Sequence, residues 1–220
     1  MRTAASAARS IDFHGLRIEY DERVLTPRPW TAAQSLWAAD LIAVAPPGPV
    51  LELCSGAGHI GLLAMTLAPR RLVCVDADPV ACGYLRRNAG RAGIRVDVRE
   101  GRMDEALTSD ERFAVVIADP PWVPTADVSR FPEDPVTAIN GGADGLDLVR
   151  SCLAVIDQHL LPAGSALIQV GPDDQADRLA DLLADHEDLR LVEVREFDRG
   201  ALVQVDRLAA PAPPALPIGR

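Results

Sequence analysis

Apolar positions along the chain fall into two alternating rhythms. Val50 to Cys54, Leu72 to Asp76, Ile94 to Arg99, Phe113 to Ala118 and Ser165 to Val170 are short, Val- and Leu-rich runs, which predicts strands buried on both faces. Between them lie longer segments of helical period: one from the glycine turn Ser55 to Gly58 through about Leu67, then Pro79 to about Ala92, Gly145 to His159 and Gln175 to Asp185. Leu161-Pro162-Ala163-Gly164 reads as the turn before the fifth strand. The chain then carries two β-rich runs, Arg190 to Phe197 and Ala201 to Val205, joined by the hairpin signal Asp198-Arg199-Gly200. Strands alternating with helices imply right-handed βαβ units, so the predicted fold is α/β: a seven-stranded, mostly parallel, doubly wound Rossmann-like sheet closed by an antiparallel C-terminal hairpin.

At 220 residues with 48% hydrophobic side chains, the chain suits one domain with one substantial core. The expected layout is a flexible N-terminus over 1–12, a single domain over 13–208, and a Pro/Ala-rich extended tail over 209–220, where APAPPALP fits neither helix nor central strand. The formal net charge of -10 removes the long-range attraction to phosphate on which duplex nucleic-acid binding depends. No run reaches the roughly 18 apolar residues of a membrane span, and the first ten residues lack the apolar stretch of a secretory signal. Cys54, Cys74, Cys82 and Cys152 form no CxxC pair and sit mostly in apolar runs, which predicts reduced thiols in a cytoplasmic protein. His14, His59, His159 and His186 have no metal-binding spacing and are assigned no role. Oligomeric state is not readable.

Two segments carry the chemistry. Gly56, Gly58 and Gly61 satisfy G-x-G-x-x-G, with Asp76 following, which also fits a nicotinamide-binding turn. Glu52 separates the readings, because it places a carboxylate in a strand where a dinucleotide fold wants an apolar side chain. S-adenosylmethionine has no pyrophosphate but carries an α-ammonium and a sulfonium, and Glu52 is expected to hold that amino-acid end, directly or through water. Gly56 and Gly58 would let the backbone approach the cofactor. Asp76 would accept both ribose hydroxyls, with Cys54 and Ala77 beside these residues in the same binding set. Met103 would pack on adenine with Asp104 near its amino group, and Asp78 would cap the helix that Pro79 opens.

The second segment, Asp119-Pro120-Pro121-Trp122, ends the fourth strand in a stretch that two prolines forbid from joining helix or ladder. At the C-terminal edge of an open α/β sheet it would face the same crevice. Asp119 and the Pro120 carbonyl are two acceptors for the two N–H bonds of an amide or amine, and Trp122 offers a planar face for stacking. These residues together predict methyl transfer from S-adenosylmethionine to nitrogen.

The chain resembles class I methyltransferases of the HemK type, which methylate the side-chain amide of the Gly-Gly-Gln glutamine in release factors. The resemblance runs from about Phe13 to Val205. Beyond the two loops it rests on Arg23-Val24-Leu25-Thr26-Pro27-Arg28-Pro29-Trp30-Thr31, similar to V-L-x-P-R-P-E-T-E, and on Gly141-Gly142-Ala143-Asp144-Gly145-Leu146-Asp147, similar to G-G-x-D-G-L. It implies that Pro27 to Thr31, Pro29 and Thr31 among them, lies across the cofactor near the transferable methyl. Asp119 stands where the family has Asn, Trp30 and Ala32 replace two glutamates, and Arg102 replaces an acid. About a dozen residues precede the match, so the family's N-terminal helical domain is expected to be missing. The acceptor is a protein glutamine or a small molecule; an exocyclic amine of a nucleobase or nucleoside, or a cofactor-binding module with a degenerate acceptor pocket, are the alternatives.

Overall fold

The structure is a computed structural model that describes residues 8–172 and 174–209. The chain opens with an antiparallel hairpin, β1 (Arg9–Phe13) and β2 (Leu16–Tyr20), turned by His14 and Gly15, both at positive φ. A 3-10 turn at Pro29–Thr31 leads into α1 (Ala32–Val44). Then follow β3 (Val50–Leu53), α2 (His59–Leu67), β4 (Leu72–Asp76), α3 (Pro79–Ala92), β5 (Val96–Glu100) and β6 (Phe113–Ala118). An irregular passage holds a 3-10 turn at Thr125–Arg130 and the single-turn α4 (Val136–Ile139). The chain finishes with α5 (Asp147–His159), β7 (Leu160–Val170), α6 (Gln175–Leu183), β8 (Leu189–Phe197) and β9 (Gly200–Arg207).

β3 to β9 form one seven-stranded sheet in the order β5-β4-β3-β6-β7-β9-β8, with β9 antiparallel to both neighbours and the rest parallel. This is the predicted class. Alternation along the buried strands divides the core: Leu51, Leu53, Val73 and Val75 face α5 and α6, whereas Val50, Leu72, Cys74 and Ile117 face α1 and α2. The order of the parallel strands reverses between β3 and β6, the place where an open α/β sheet leaves a crevice at its carboxyl edge.

The N-terminal hairpin forms a third layer. Phe13 and Ile18 pack with Leu62 and Leu63 of α2 and Ala81 and Tyr84 of α3. Asn88 on α3 fixes it: the side chain accepts from Glu19 N–H at 2.8 Å and donates to the carbonyls of Glu19 and Ala57, each at 3.0 Å. One buried amide thus joins the hairpin to the glycine loop.

Several boundaries differ from expectation. Strand structure begins at Arg9, inside the stretch expected to be flexible, because the hairpin has α2 and α3 to pack on. The turn expected at Leu161 to Gly164 lies within β7: pairing passes from Phe113↔Leu160 to Val115↔Ser165, and Ala163 at φ 61° marks the bulge that takes up the extra residues. α1 had no counterpart in the sequence reading. The proline-rich tail, from 210 onward, lies outside the described residues.

Candidate active site

A cleft of about 560 Å³ opens at the carboxyl ends of β5, β4, β3 and β6. Cys54, Gly56, Asp76, Ala77, Met103, Asp119 and Pro121 line it, so two segments far apart in sequence meet there as predicted.

The glycine loop is shaped by backbone conformation. Cys54, Gly56 and Gly58 all have positive φ, at 56°, 53° and 83°. Such a value at Cys54 is costly for a residue with a Cβ and concentrates strain at the cleft. A Cβ built on Gly56 would meet no atom within 4 Å, so this glycine leaves open space for a ligand. Gly58 serves another purpose, since its Cβ would stand 2.7 Å from the Leu85 side chain of α3. Its absence lets α2 seat against α3.

Asp76 secures the loop. Its two carboxylate oxygens accept from Gly56 N–H at 2.7 Å and Asp78 N–H at 2.9 Å, and each keeps a lone pair for a hydroxyl from the cleft. Burial raises its pKa. Asp78 caps α3 as expected, accepting from Val80 N–H at 2.8 Å.

Glu52 is turned away from direct contact with the cleft. It shares the α1/α2 face of β3 with Val50, and its carboxylate accepts from Gly61 N–H at 2.8 Å and from the Cys74 thiol at 3.1 Å. A Cβ on Gly61 would lie 2.3 Å from that carboxylate. The third glycine of the fingerprint therefore makes room for Glu52, and neither residue lines the cleft. Burial pushes the Glu52 pKa up to about 7, with Asp119 and Asp76 adding like-charge repulsion.

Asp119 is the other raised acid, also at about 7, with burial as the cause. No described residue donates a hydrogen bond to its carboxylate or to the Pro120 carbonyl. The rest of the loop is tied down. The Trp122 carbonyl accepts from Gln175 Nε2 at 2.9 Å, while Val123 takes Ile139 and Gly141 as backbone partners. A Cβ on Gly171 would lie 2.6 Å from the Trp122 ring, which places the indole against the end of β7; it does not line the cleft.

The Gly141 to Asp147 segment forms the brace behind this loop. Gly142 and Gly145 have φ of 90° and 78°, and a Cβ on Gly145 would strike the Trp122 carbonyl at 2.3 Å. Asp144 receives Arg150 at 2.7 Å and Arg178 at 2.5 Å, which hold its carboxyl far below the usual range and link α5 to α6.

Pro29 and Thr31 also stand behind the wall. From the stretch before them it is Arg23, Val24 and Leu25 that line the cleft. Arg28 instead anchors to Asp134 at 2.5 Å, pinning the segment to the loop after β6. Asp104 is exposed and paired with Arg102 at 3.0 Å. His59, assigned nothing from sequence, lines the cleft at the start of α2. Its placement directly after the last loop glycine is the signal that marks it.

The cleft is thus acidic, with glycine-opened space beside Asp76, which fits a cationic nucleoside such as S-adenosylmethionine. The "Methyltransferase domain" family model matches residues 50–134, the span that holds both loops. The chain is 37% identical over 128 residues to a release factor glutamine methyltransferase of Geobacter sulfurreducens, covering 56% of this chain and 45% of that one. It is 31% identical over 169 residues to a ribosomal protein uL3 glutamine methyltransferase of Bordetella pertussis, covering 71% and 55%. The chain therefore spans about half the length of these curated relatives. The crystal structure of a ribosomal protein L11 methylase from Lactobacillus delbrueckii subsp. bulgaricus superposes with a TM-score of 0.64 at 14% identity, over 86% of this chain and 83% of that one. Sheet order, glycine loop and sequence similarity agree: the chain has the fold of the class I methyltransferases, carries a methyltransferase domain over residues 50–134, and is similar in sequence to glutamine methyltransferases of the HemK type.

Proposed function

We propose that the protein transfers a methyl group from S-adenosylmethionine to the side-chain amide nitrogen of glutamine in a protein acceptor. The observation that carries this reading is the Asp119 carboxylate, which lines a cleft suited to that cofactor and takes no hydrogen bond from any described residue, with the unpaired carbonyl of the buried Pro120 next to it in the chain. A primary amide presents two N–H bonds. Two fixed acceptors orient it, draw its lone pair out of conjugation and aim it along the cleft, and such positioning contributes up to about 7 to 11 kcal/mol.

The cofactor supplies an electrophilic methyl on sulfonium. Asp76 would hold the ribose hydroxyls, Gly56 would admit the cofactor to the backbone, and Met103 would pack against adenine. Asp119 stabilises positive charge growing on the attacking nitrogen. Its carboxyl titrates near neutrality, so it is also suited to take the proton that nitrogen loses.

The names of the relatives support a glutamine acceptor. Trp122, the ring expected to stack a base, lies on Gly171 and is not among the side chains that line the cleft, which favours an amide over a nucleobase acceptor. Calorimetric titration of the chain with S-adenosylmethionine, S-adenosylhomocysteine and NAD, followed by mass spectrometry of release factor and uL3 after incubation with S-adenosylmethionine, tests the reading. Binding of the first two ligands and a one-methyl mass gain on a glutamine are expected. Preference for NAD, or methylation confined to nucleosides or small amines, would overturn it. Asp119→Ala should abolish turnover and leave cofactor affinity nearly unchanged.

A further inference from the structure

α1 packs Trp37, Ala38, Leu41 and Ile42 against Val115, Ile117 and Leu167 of β6 and β7. Gln34, on the same helix, is wholly buried. Its Nε2 crosses to the sheet and donates to the Ala118 carbonyl at 2.9 Å and, over a longer 3.4 Å, to the Leu167 carbonyl. Its Oε1 is also buried and has no partner among the described residues. The side chain thus satisfies carbonyls at the carboxyl edge of the sheet and leaves an oxygen of its own bare, an exchange that brings little net stability. Folding alone gives no reason for an amide at this place.

What the amide holds is the peptide that carries Asp119. Ala118 is the last residue of β6, and its carbonyl shares one planar unit with the Asp119 N–H. A donor fixed on that carbonyl therefore fixes the direction in which Asp119 leaves the strand. The chain beyond has few means of fixing itself. Pro120 and Pro121 have no N–H, the Asp119 carboxylate takes no hydrogen bond from a described residue, and the next ties lie at Trp122 and Val123. We propose that Gln34 is a positioning residue for methyl transfer, which sets the aim of the Asp119 carboxylate into the cleft through the Ala118 carbonyl. This role rests on the reading of Asp119 as the group that receives the acceptor nitrogen. Gln34 does not line the cleft and acts only through Asp119.

Two variants of the full chain test it, with the acceptor protein that the wild type methylates. Gln34→Met keeps the length of the side chain and removes its donor, whereas Gln34→Glu keeps a donor for as long as its buried carboxyl is protonated. Gln34→Met should lower kcat about ten- to a hundredfold, because small misplacements of a reacting group are costly, and leave acceptor KM and the calorimetric affinity for S-adenosylhomocysteine unchanged. A carboxylate released from its aim reaches water more easily, so the inflection of kcat/KM should also move about one pH unit toward acid. Gln34→Glu should recover most of the lost kcat at neutral pH and lose it again above about pH 8, as the buried carboxyl ionises and the donor disappears. Wild-type kcat and pH profile in Gln34→Met, or equal losses of kcat and cofactor affinity, overturn the proposal. Should Gln34→Met not fold, Gln34→Glu decides alone, and a pH profile that matches the wild type refutes the role. A wild type without methyl transfer fails the methyltransferase reading and the role of Gln34 with it, whereas an active wild type beside an unaffected Gln34→Met fails only the latter.

Discussion

Gln175 joins the two ends of the acceptor loop's support: its Oε1 accepts from Gly171 N–H at 2.8 Å while its Nε2 donates to the Trp122 carbonyl at 2.9 Å. The side chain is buried, so Gln175→Leu leaves a donor and an acceptor unpaired and should cost about 1 to 3 kcal/mol in urea unfolding. Turnover should fall further than stability requires, because the loop that carries Asp119 loses a fixed point. S-adenosylhomocysteine affinity should hold. A parallel loss of affinity would mean that the bond supports the cofactor cleft instead.

Asp119 gives the reaction a pH signature. With its pKa near 7, the carboxylate form fills as pH rises, so kcat/KM should climb between about pH 6 and 8 and then level off. Asn keeps an acceptor oxygen and does not titrate. Asp119→Asn should retain measurable activity, in keeping with the Asn of the HemK type, and its pH profile should lose that inflection.

Glu52 should make the folded state sensitive to pH in the opposite sense from an ordinary surface acid. Its folded pKa of about 7 exceeds the usual 4.5, so the native state holds a proton that the unfolded chain releases. Stability from this group is full below about pH 4.5 and declines as pH rises toward 7. Denaturation of Glu52→Gln across pH 4 to 8 should show a shallower decline, the remainder coming from Asp119, whose pKa is raised to the same value. If wild type and variant keep parallel profiles, Glu52 is not the group responsible.

Asn88→Ala should release the hairpin from the glycine loop. Three hydrogen bonds are lost at a buried site, two to Glu19 and one to Ala57, for about 1 to 3 kcal/mol. Hydrogen exchange should quicken first at the β1/β2 amides and stay slow in β3 and β6. Uniform acceleration would show that the hairpin unfolds only with the whole domain.

The sequence made the cleft legible and left its walls obscure. Strand ends announce themselves, because a buried Val-rich run that stops at Gly or Pro has few other meanings, and so Gly56, Asp76 and Asp119 were found. Facing was harder. β3 is buried on both sides, so alternation pairs Val50 with Glu52 but cannot say which face that pair meets, and the bond from Gly61 N–H to Glu52 was not readable. α1 is apolar around much of its circumference, with even Gln34 and Ser35 buried, and so lacks the polar stripe by which surface helices are recognised. The surroundings of Trp122 and His59 were unreadable for a related reason. A ring's direction depends on partners distant in sequence, Gly171 for one and Thr31 with Phe13 for the other.

The place of β9 between β7 and β8 sets an order of assembly. A ribosome delivers β8 before the strand it must pair with, so an emerging chain that stops short of Gly200 presents β7 as a naked apolar edge and β8 as an unanchored ribbon. Closure of the sheet waits for the last strand made. Until then the nascent domain is open to edge-to-edge association with other chains, and a nonsense mutation anywhere before β9 should yield aggregated protein, with no folded fragment left in solution.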